Sequence, residues 1–116
     1  MAGQMRQPDA LGEFEQTVLL AIVHVGVDAY GVTIRREIEK RTGRTVAVGA
    51  LYTGLDRLER KGFVRSVNSD PTPQRGGRSK RHFTITAAGV AALERSRELM
   101  HRMWAGLKPG VLRPRS

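Results

Sequence analysis

Cysteine is absent from the sequence, and long apolar runs and aromatic side chains are scarce. The lack of cysteine excludes a disulfide framework and a thiolate metal site. The longest unbroken apolar run, residues 18–23, spans six positions, whereas a helix needs roughly 20 to cross a bilayer. The N-terminus also lacks the basic start and apolar stretch of a secretory signal. We therefore expect a cytoplasmic protein.

Acidic residues are outnumbered, with 11 Asp and Glu against 20 Lys and Arg, for a net charge of +9. Residues 1–29 hold one base and four acids, whereas residues 30–86 hold thirteen bases and five acids. Charge concentrated in one part of a chain favours a polyanionic partner over a merely soluble surface. Nucleic acid is the first expectation, and an anionic membrane surface is a weaker one.

A basic hairpin is the most informative feature of the chain. Residues 63–68 and 81–86 can each alternate core and solvent positions, and the segment between them contains prolines and glycines that no strand interior tolerates. A long structureless tip is uncommon in a compact domain unless it binds something. Against the single acid Asp70, this one carries four bases: Arg75, Arg78, Lys80 and Arg81.

Three helices are predicted ahead of the hairpin. The first, over residues 11–26, is apolar around most of its circumference, so we expect a second copy of the chain to cover one side. The second spans about residues 30–42. The third, about 48–61, has Leu51, Leu55 and Leu58 on one face and Gly62 as its stop. Two short helices with a tight connection predict a helix-turn-helix.

The face of the third helix opposite its leucines is the candidate recognition surface. It carries Gly49, Ala50, Thr53, Asp56, Arg57 and Arg60. Small residues let a helix approach the floor of a groove, and arginines reach phosphates or guanine edges. The alternative is an ordinary amphipathic helix with Asp56 paired to Arg60 one turn on. The hairpin that follows favours the first interpretation, because a helix-turn-helix plus a wing joins a groove reader to a backbone clamp.

Four blocks of residues together resemble the PadR-type winged-helix transcriptional regulators. They are Tyr30-Gly31; Glu39-Lys40-Arg41-Thr42-Gly43; Gly49-Ala50-Leu51-Tyr52 leading into Leu55-Asp56-Arg57-Leu58-Glu59-Arg60-Lys61-Gly62; and Gly76-Gly77-Arg78 followed by Phe83-Thr84-Ile85-Thr86 with Gly89. The resemblance implies a small dimeric DNA-binding protein, usually a repressor released by a small molecule. It also implies that Tyr30, Tyr52 and the wing bases contact the DNA backbone, and that Gly49, Ala50 and Thr53 lie in the groove.

The chain departs from this family pattern at the head of the recognition helix. Residues 47–50 read Ala-Val-Gly-Ala where the family often has Ser-Pro-Gly-Thr, so a capping and a base-reading hydroxyl are both missing. Losing a cap costs about 1 kcal/mol. Ser79 also stands where proline is common. Base readout by hydrogen bonds is then left mainly to Thr53 and an arginine such as Arg57.

The last predicted helix occupies residues 87–108, with Thr86 as its N-cap and Pro109-Gly110 as its stop. Leu93, Met100 and Leu107 repeat every seven residues, which predicts pairing with a partner subunit. Met100, Met103 and Trp104 are also a candidate pocket for a planar effector. We favour the alternative that Trp104 only packs in the interface between the two subunits, which is called the dimer seam below.

The sequence therefore predicts a mainly α fold with a small β-hairpin, a winged helix-turn-helix with N- and C-terminal dimerisation helices. Residues 1–9 are expected to be flexible, 10–86 to form the DNA-binding domain, and 109–116 to form a disordered basic tail. We expect a homodimeric, nucleoid-associated regulator of double-stranded DNA at an inverted repeat. No cofactor, metal site or catalytic residue is predicted. The alternative is a winged-helix module that docks proteins without DNA sequence preference.

Overall fold

The computed structural model describes residues 11–69 and 80–114. Helix α1 spans Glu13–Val25 and leads through a 3-10 turn, Gly26–Asp28, to α2, Gly31–Thr42. Helix α3 is Val48–Arg60, the strands β1 and β2 are Val64–Asn68 and Arg81–Ile85, and helix α4 is Ala87–Trp104. The mainly α fold with a small hairpin is confirmed.

The core lies between the first three helices and the inner face of the hairpin. The three leucines of α3, namely Leu51, Leu55 and Leu58, are fully buried. Spacing of four and three residues places them on one side of a helix, and that side packs against α1 and α2. The same geometry leaves the opposite side of α3 in solvent.

The hairpin is antiparallel, with Val64 opposite Ile85 and Asn68 opposite Arg81. A third extended piece joins it, because Tyr30 forms a bridge with His82 and the backbone N–H of Phe83 donates to Ala29 O at 2.8 Å. The hairpin is thereby attached to the start of α2. The tip, residues 70–79, lies outside the described residues, and so do the predicted wing bases Arg75 and Arg78.

Helix α4 begins as predicted and ends earlier than predicted. The Thr86 hydroxyl caps it by accepting from Gly89 N at 3.1 Å, and it also donates to Gly62 O at 2.6 Å. The helix stops at Trp104, before Gly106, whose φ of 85° is left-handed. Leu107 therefore lies beyond the helix. The expected stop at Pro109-Gly110 was too late, because the nearer glycine already takes a backbone conformation that a helix does not allow.

A row of apolar side chains on α1 and α4 stays exposed to solvent. Its members are Leu20 and Val23 of α1 and Val90, Met100, Met103 and Trp104 of α4, whereas the exposed Leu99 lies on another side of α4. Only the first half of α4 packs on the rest of the chain, with Gly89 and Ala92 buried. Among the helices of residues 11–69 and 80–114, none is both long and apolar enough to span a membrane.

Candidate nucleic-acid interface

The outer face of α3 is open along its whole length. The predicted groove residues Gly49, Ala50 and Thr53 are exposed, and so is Arg57 one turn further on. Nothing lies within 4 Å of the position that a Cβ on Gly49 would take. Ala47 precedes the helix without a side-chain cap, as its sequence implied. The face carries small side chains at its start and charged side chains, Asp56, Arg57 and Arg60, towards its end.

Tyr52 lies across the start of α2. A Cβ built on Gly31 would lie 2.1 Å from the Tyr52 hydroxyl oxygen, so the tyrosine occupies space that only glycine leaves free. The Tyr52 ring is still 37% exposed. Gly31 and Tyr52 are 21 residues apart in the chain, and no pattern in the sequence predicts their contact. It brings the Tyr52 hydroxyl to the start of α2, one residue after Tyr30.

Tyr30, Lys80 and His82 form a cluster at the root of the hairpin. The Lys80 ammonium lies 4.0 Å from the centre of the Tyr30 ring. The His82 ring meets the same tyrosine edge-on, with centroids 5.5 Å apart. All three residues are partly exposed. Tyr30 and Lys80, which were both predicted to contact the DNA backbone, therefore lie together in the structure. His82 lies beside them.

Arg81 behaves differently from Lys80. Its guanidinium donates to Asp56 Oδ1 at 3.2 Å and to a carboxylate oxygen of Glu59, both on α3. The Ser66 hydroxyl donates to the other Glu59 oxygen at 2.7 Å. That bond first, and the Arg81 guanidinium after it, hold the pKa of Glu59 below its usual value although desolvation acts in the opposite direction. The partner of Asp56 is thus Arg81, where the amphipathic alternative expected Arg60.

Arg35 fixes the connection between α2 and α3. Its Nε donates to the backbone carbonyl of Val46 at 3.0 Å, so the turn before the recognition helix is held from the preceding helix. No pattern in the sequence predicts this role, because Arg35 resembles the other bases on the outer face of α2. The bond helps to set where Gly49 and Ala50 begin the open face.

The three predicted effector residues, Met100, Met103 and Trp104, lie on the free half of α4. Their side chains are 53%, 71% and 53% exposed. A shallow apolar groove runs between α1 and α4, and Met100 lines it together with Leu20, Val23 and Leu93. Within the described residues, no three His, Asp or Glu side chains come together as metal ligands.

The model of the "Transcriptional regulator PadR-like family" matches residues 19–95. The chain belongs to the PadR-like family. The matched segment runs from the middle of α1 to the first half of α4, so it includes the complete helix-turn-helix and hairpin. Members of this family are transcriptional regulators. Among curated proteins, none matches the chain.

Solved structures share the same fold. The complex structure of RosR-S1 of H. salinarum is 27% identical with a TM-score of 0.65, covering 83% of this chain and 78% of that one. A PadR family transcription regulator from Clostridium difficile is 21% identical with a TM-score of 0.63, covering 78% and 90%. F93 from STIV, a winged-helix DNA-binding protein, is 22% identical with a TM-score of 0.60, covering 78% and 90%.

Proposed function

We propose that this PadR-like protein binds double-stranded DNA sequence-specifically and regulates transcription. One observation carries the proposal. Tyr52 of α3 contacts Gly31, the residue that follows Tyr30, so the open face of α3 and the Tyr30–Lys80 cluster lie close enough for a single duplex to meet both. Family membership supports the same conclusion, because it is a family of transcriptional regulators.

Each part of the interface has its own role in the proposal. Gly49, Ala50 and Thr53 lie against base edges in the major groove, where the Ala50 methyl suits a thymine methyl and the Thr53 hydroxyl takes a hydrogen bond. Arg57 reaches a guanine edge or a phosphate. Contacts to the sugar-phosphate backbone come from Tyr30, Tyr52, Lys80 and the tip bases Arg75 and Arg78. The tip bases are included on charge and family resemblance alone.

The proposed protein is a homodimer in the cytoplasm, associated with the nucleoid. The exposed apolar row on α1 and α4 supports this state, since a lone chain gains nothing from leaving it in water. Two recognition helices related by a two-fold axis read an inverted repeat whose half-sites lie about 34 Å apart. Dimerisation would cover Leu20, Val23 and Met100.

We also propose repression, with release by a planar small molecule held near Met100, Met103 and Trp104. Methionine and tryptophan side chains suit flat aromatic ligands. These three are exposed in the single chain, and the partner subunit would close a pocket over them. Titration with planar dyes, followed by the fluorescence of the lone tryptophan, tests this part. Emission that no dye quenches would reject the effector site and leave the DNA-binding proposal intact.

A binding selection from a random duplex pool tests the main proposal. We expect the wild-type protein to enrich one inverted-repeat motif. Thr53→Ala and Arg57→Ala should return a changed or degenerate motif, each contact being worth about 1–3 kcal/mol of discrimination. Glu98→Ala on α4 is the control and should return the wild-type motif. Binding to every duplex alike would instead favour the protein-docking alternative, in which the basic face meets an acidic partner.

A further inference from the structure

Four polar side chains connect the recognition helix to the wing. They are Arg81 of β2, Asp56 and Glu59 of α3, and Ser66 of β1, and they are called the Arg81 bracket below. Arg81 bonds to both acids, and Glu59 in turn accepts from Ser66. Asp56 and Glu59 lie three residues apart on α3, so one guanidinium spans nearly a full turn of that helix.

Strand alternation directs Arg81 towards the protein. In the ladder, Asn68 faces Arg81 and Ser66 faces Phe83, so Arg81 shares a face of the sheet with Phe83, which is 2% exposed. The guanidinium carbon lies 4.9 Å from the centre of the Phe83 ring. Lys80 and His82 belong to the other face, beside Tyr30. Neighbouring bases of the hairpin therefore point to different places.

The charge of Arg81 is balanced within the chain. Arg81 and Glu59 side chains are each 35% exposed and Asp56 is 56% exposed, so both carboxylates stand close to the surface that would meet DNA. If Arg81 swung out to a phosphate, these acids would be left uncompensated beside a polyanion. Like charges so placed repel, and this repulsion opposes the swing.

We propose that Arg81 is a positioning residue that, through Asp56 and Glu59, fixes the angle of the hairpin on α3 so that groove and backbone contacts are made together. The inference rests on the proposed DNA-binding function. It assigns Arg81 a different role from Lys80, which stays a backbone contact. The hydrogen bonds from Ser66 and Arg81, which hold the pKa of Glu59 below its usual value, favour the ionised carboxylate on which the bracket depends.

Glu59→Gln distinguishes a positioning role of Arg81 from a phosphate contact, because the two roles predict different effects of this substitution on DNA binding. The substitution removes a negative charge near DNA, so simple electrostatics would tighten binding to any duplex. A loosened bracket instead lowers the ratio of affinities for a specific and a scrambled duplex. The probes are the duplex that wild type enriches most from a random pool and its scrambled counterpart of equal length. We expect the ratio to fall about tenfold, as for the loss of one hydrogen bond between charged groups.

Three further variants complete the measurement. Arg81→Met keeps the apolar stem on Phe83 and should lower the same ratio. Lys80→Met should weaken binding to both duplexes alike and reduce the slope of log K against log salt by about 0.9 per lost phosphate contact. Glu98→Gln removes an equal charge from α4 and should leave the ratio unchanged. Circular dichroism of each variant verifies that it is folded.

The proposal is overturned if Glu59→Gln binds both duplexes as tightly as wild type or more tightly with an unchanged ratio, or if Arg81→Met acts like Lys80→Met. Hydrogen exchange tests the bracket without DNA. Amides of Val64–Asn68 should exchange faster in Glu59→Gln than in Glu98→Gln, and equal rates reject the bracket whatever the DNA result. If wild type prefers no duplex while the exchange rates differ, the proposed function fails and the bracket stands as a structural device.

Discussion

At the scale of single residues, one acid stands out because it is buried. Glu15 of α1 is 5% exposed. Lys61, just after α3, donates to its two carboxylate oxygens at 2.9 and 3.0 Å, and the backbone N–H of Gly12 donates at 3.1 Å. A carboxylate removed from water is costly unless it is paired and hydrogen-bonded. This pair therefore connects the start of α1 to the end of α3.

Lys61→Met is expected to destabilise the protein by about 2–3 kcal/mol, because it leaves the buried Glu15 carboxylate without its lysine partner. Chemical denaturation at neutral pH measures the change. Lys40→Met, at an exposed position of α2, is the matched control and should change stability by less than about 0.5 kcal/mol. Adding Glu15→Gln to Lys61→Met should recover part of the loss. Equal stabilities of the two lysine variants would show that the pair contributes little.

By charge alone, the bases of the hairpin are equivalent. In the structure, Lys80 and Arg81 lie in different surroundings. The sequence grouped Lys80 with Arg81 by charge, yet the strand places them on opposite faces. The signal was available, because Arg81, Phe83 and Ile85 are spaced by two and share the apolar side. The sequence does not show that two acids on α3 accept hydrogen bonds from the Arg81 guanidinium, because the partners lie more than twenty residues apart along the chain.

At the scale of elements, the helices were predictable where local signals suffice. The leucine spacing and Gly62 defined α3, and Thr86 defined the start of α4, because both signals act within one or two turns. The third extended piece at Ala29 and Tyr30 was missed. It consists of one bridge and one backbone bond, too short for any alternation to appear in the sequence.

The sequence also does not predict where α4 packs on the rest of the chain. A Cβ on Gly89 would lie 2.3 Å from the carbonyl oxygen of Phe63, so glycine is required where α4 crosses the start of the hairpin. The sequence showed only a glycine in the first turn of a helix, where it usually lowers helix stability. The cost is offset by a close approach that no larger residue permits. Gly31 is required for the same reason, because a Cβ there would lie 2.1 Å from the Tyr52 hydroxyl oxygen.

At the scale of the whole molecule, the exposed apolar row and the surface proposed to meet DNA lie on different elements. The proposed DNA surface belongs to α3, the start of α2 and the root of the hairpin, whereas the exposed apolar row belongs to α1 and α4. Beyond Leu93, every described residue of α4 except Ser96 is exposed. A helix that extends away from its own core with apolar side chains needs a second surface. The proposed dimer supplies it without covering the groove-reading face.

The dimer is tested by a pair of substitutions of the same residue type. Val23 lies in the apolar row on α1, and Val27, 91% exposed, lies in the 3-10 turn outside it. Val23→Glu places an unpaired carboxylate in the seam, which costs several kcal/mol of association, so we expect monomers at micromolar concentration by sedimentation equilibrium. Val27→Glu should remain dimeric.

On DNA, the slope of log K against log salt for a monomer should be about half of the slope for the dimer, because half of the phosphate contacts are gone. A wild-type protein that sediments as a folded monomer, or two glutamate variants with equal dimer affinity, would place the seam elsewhere or remove it.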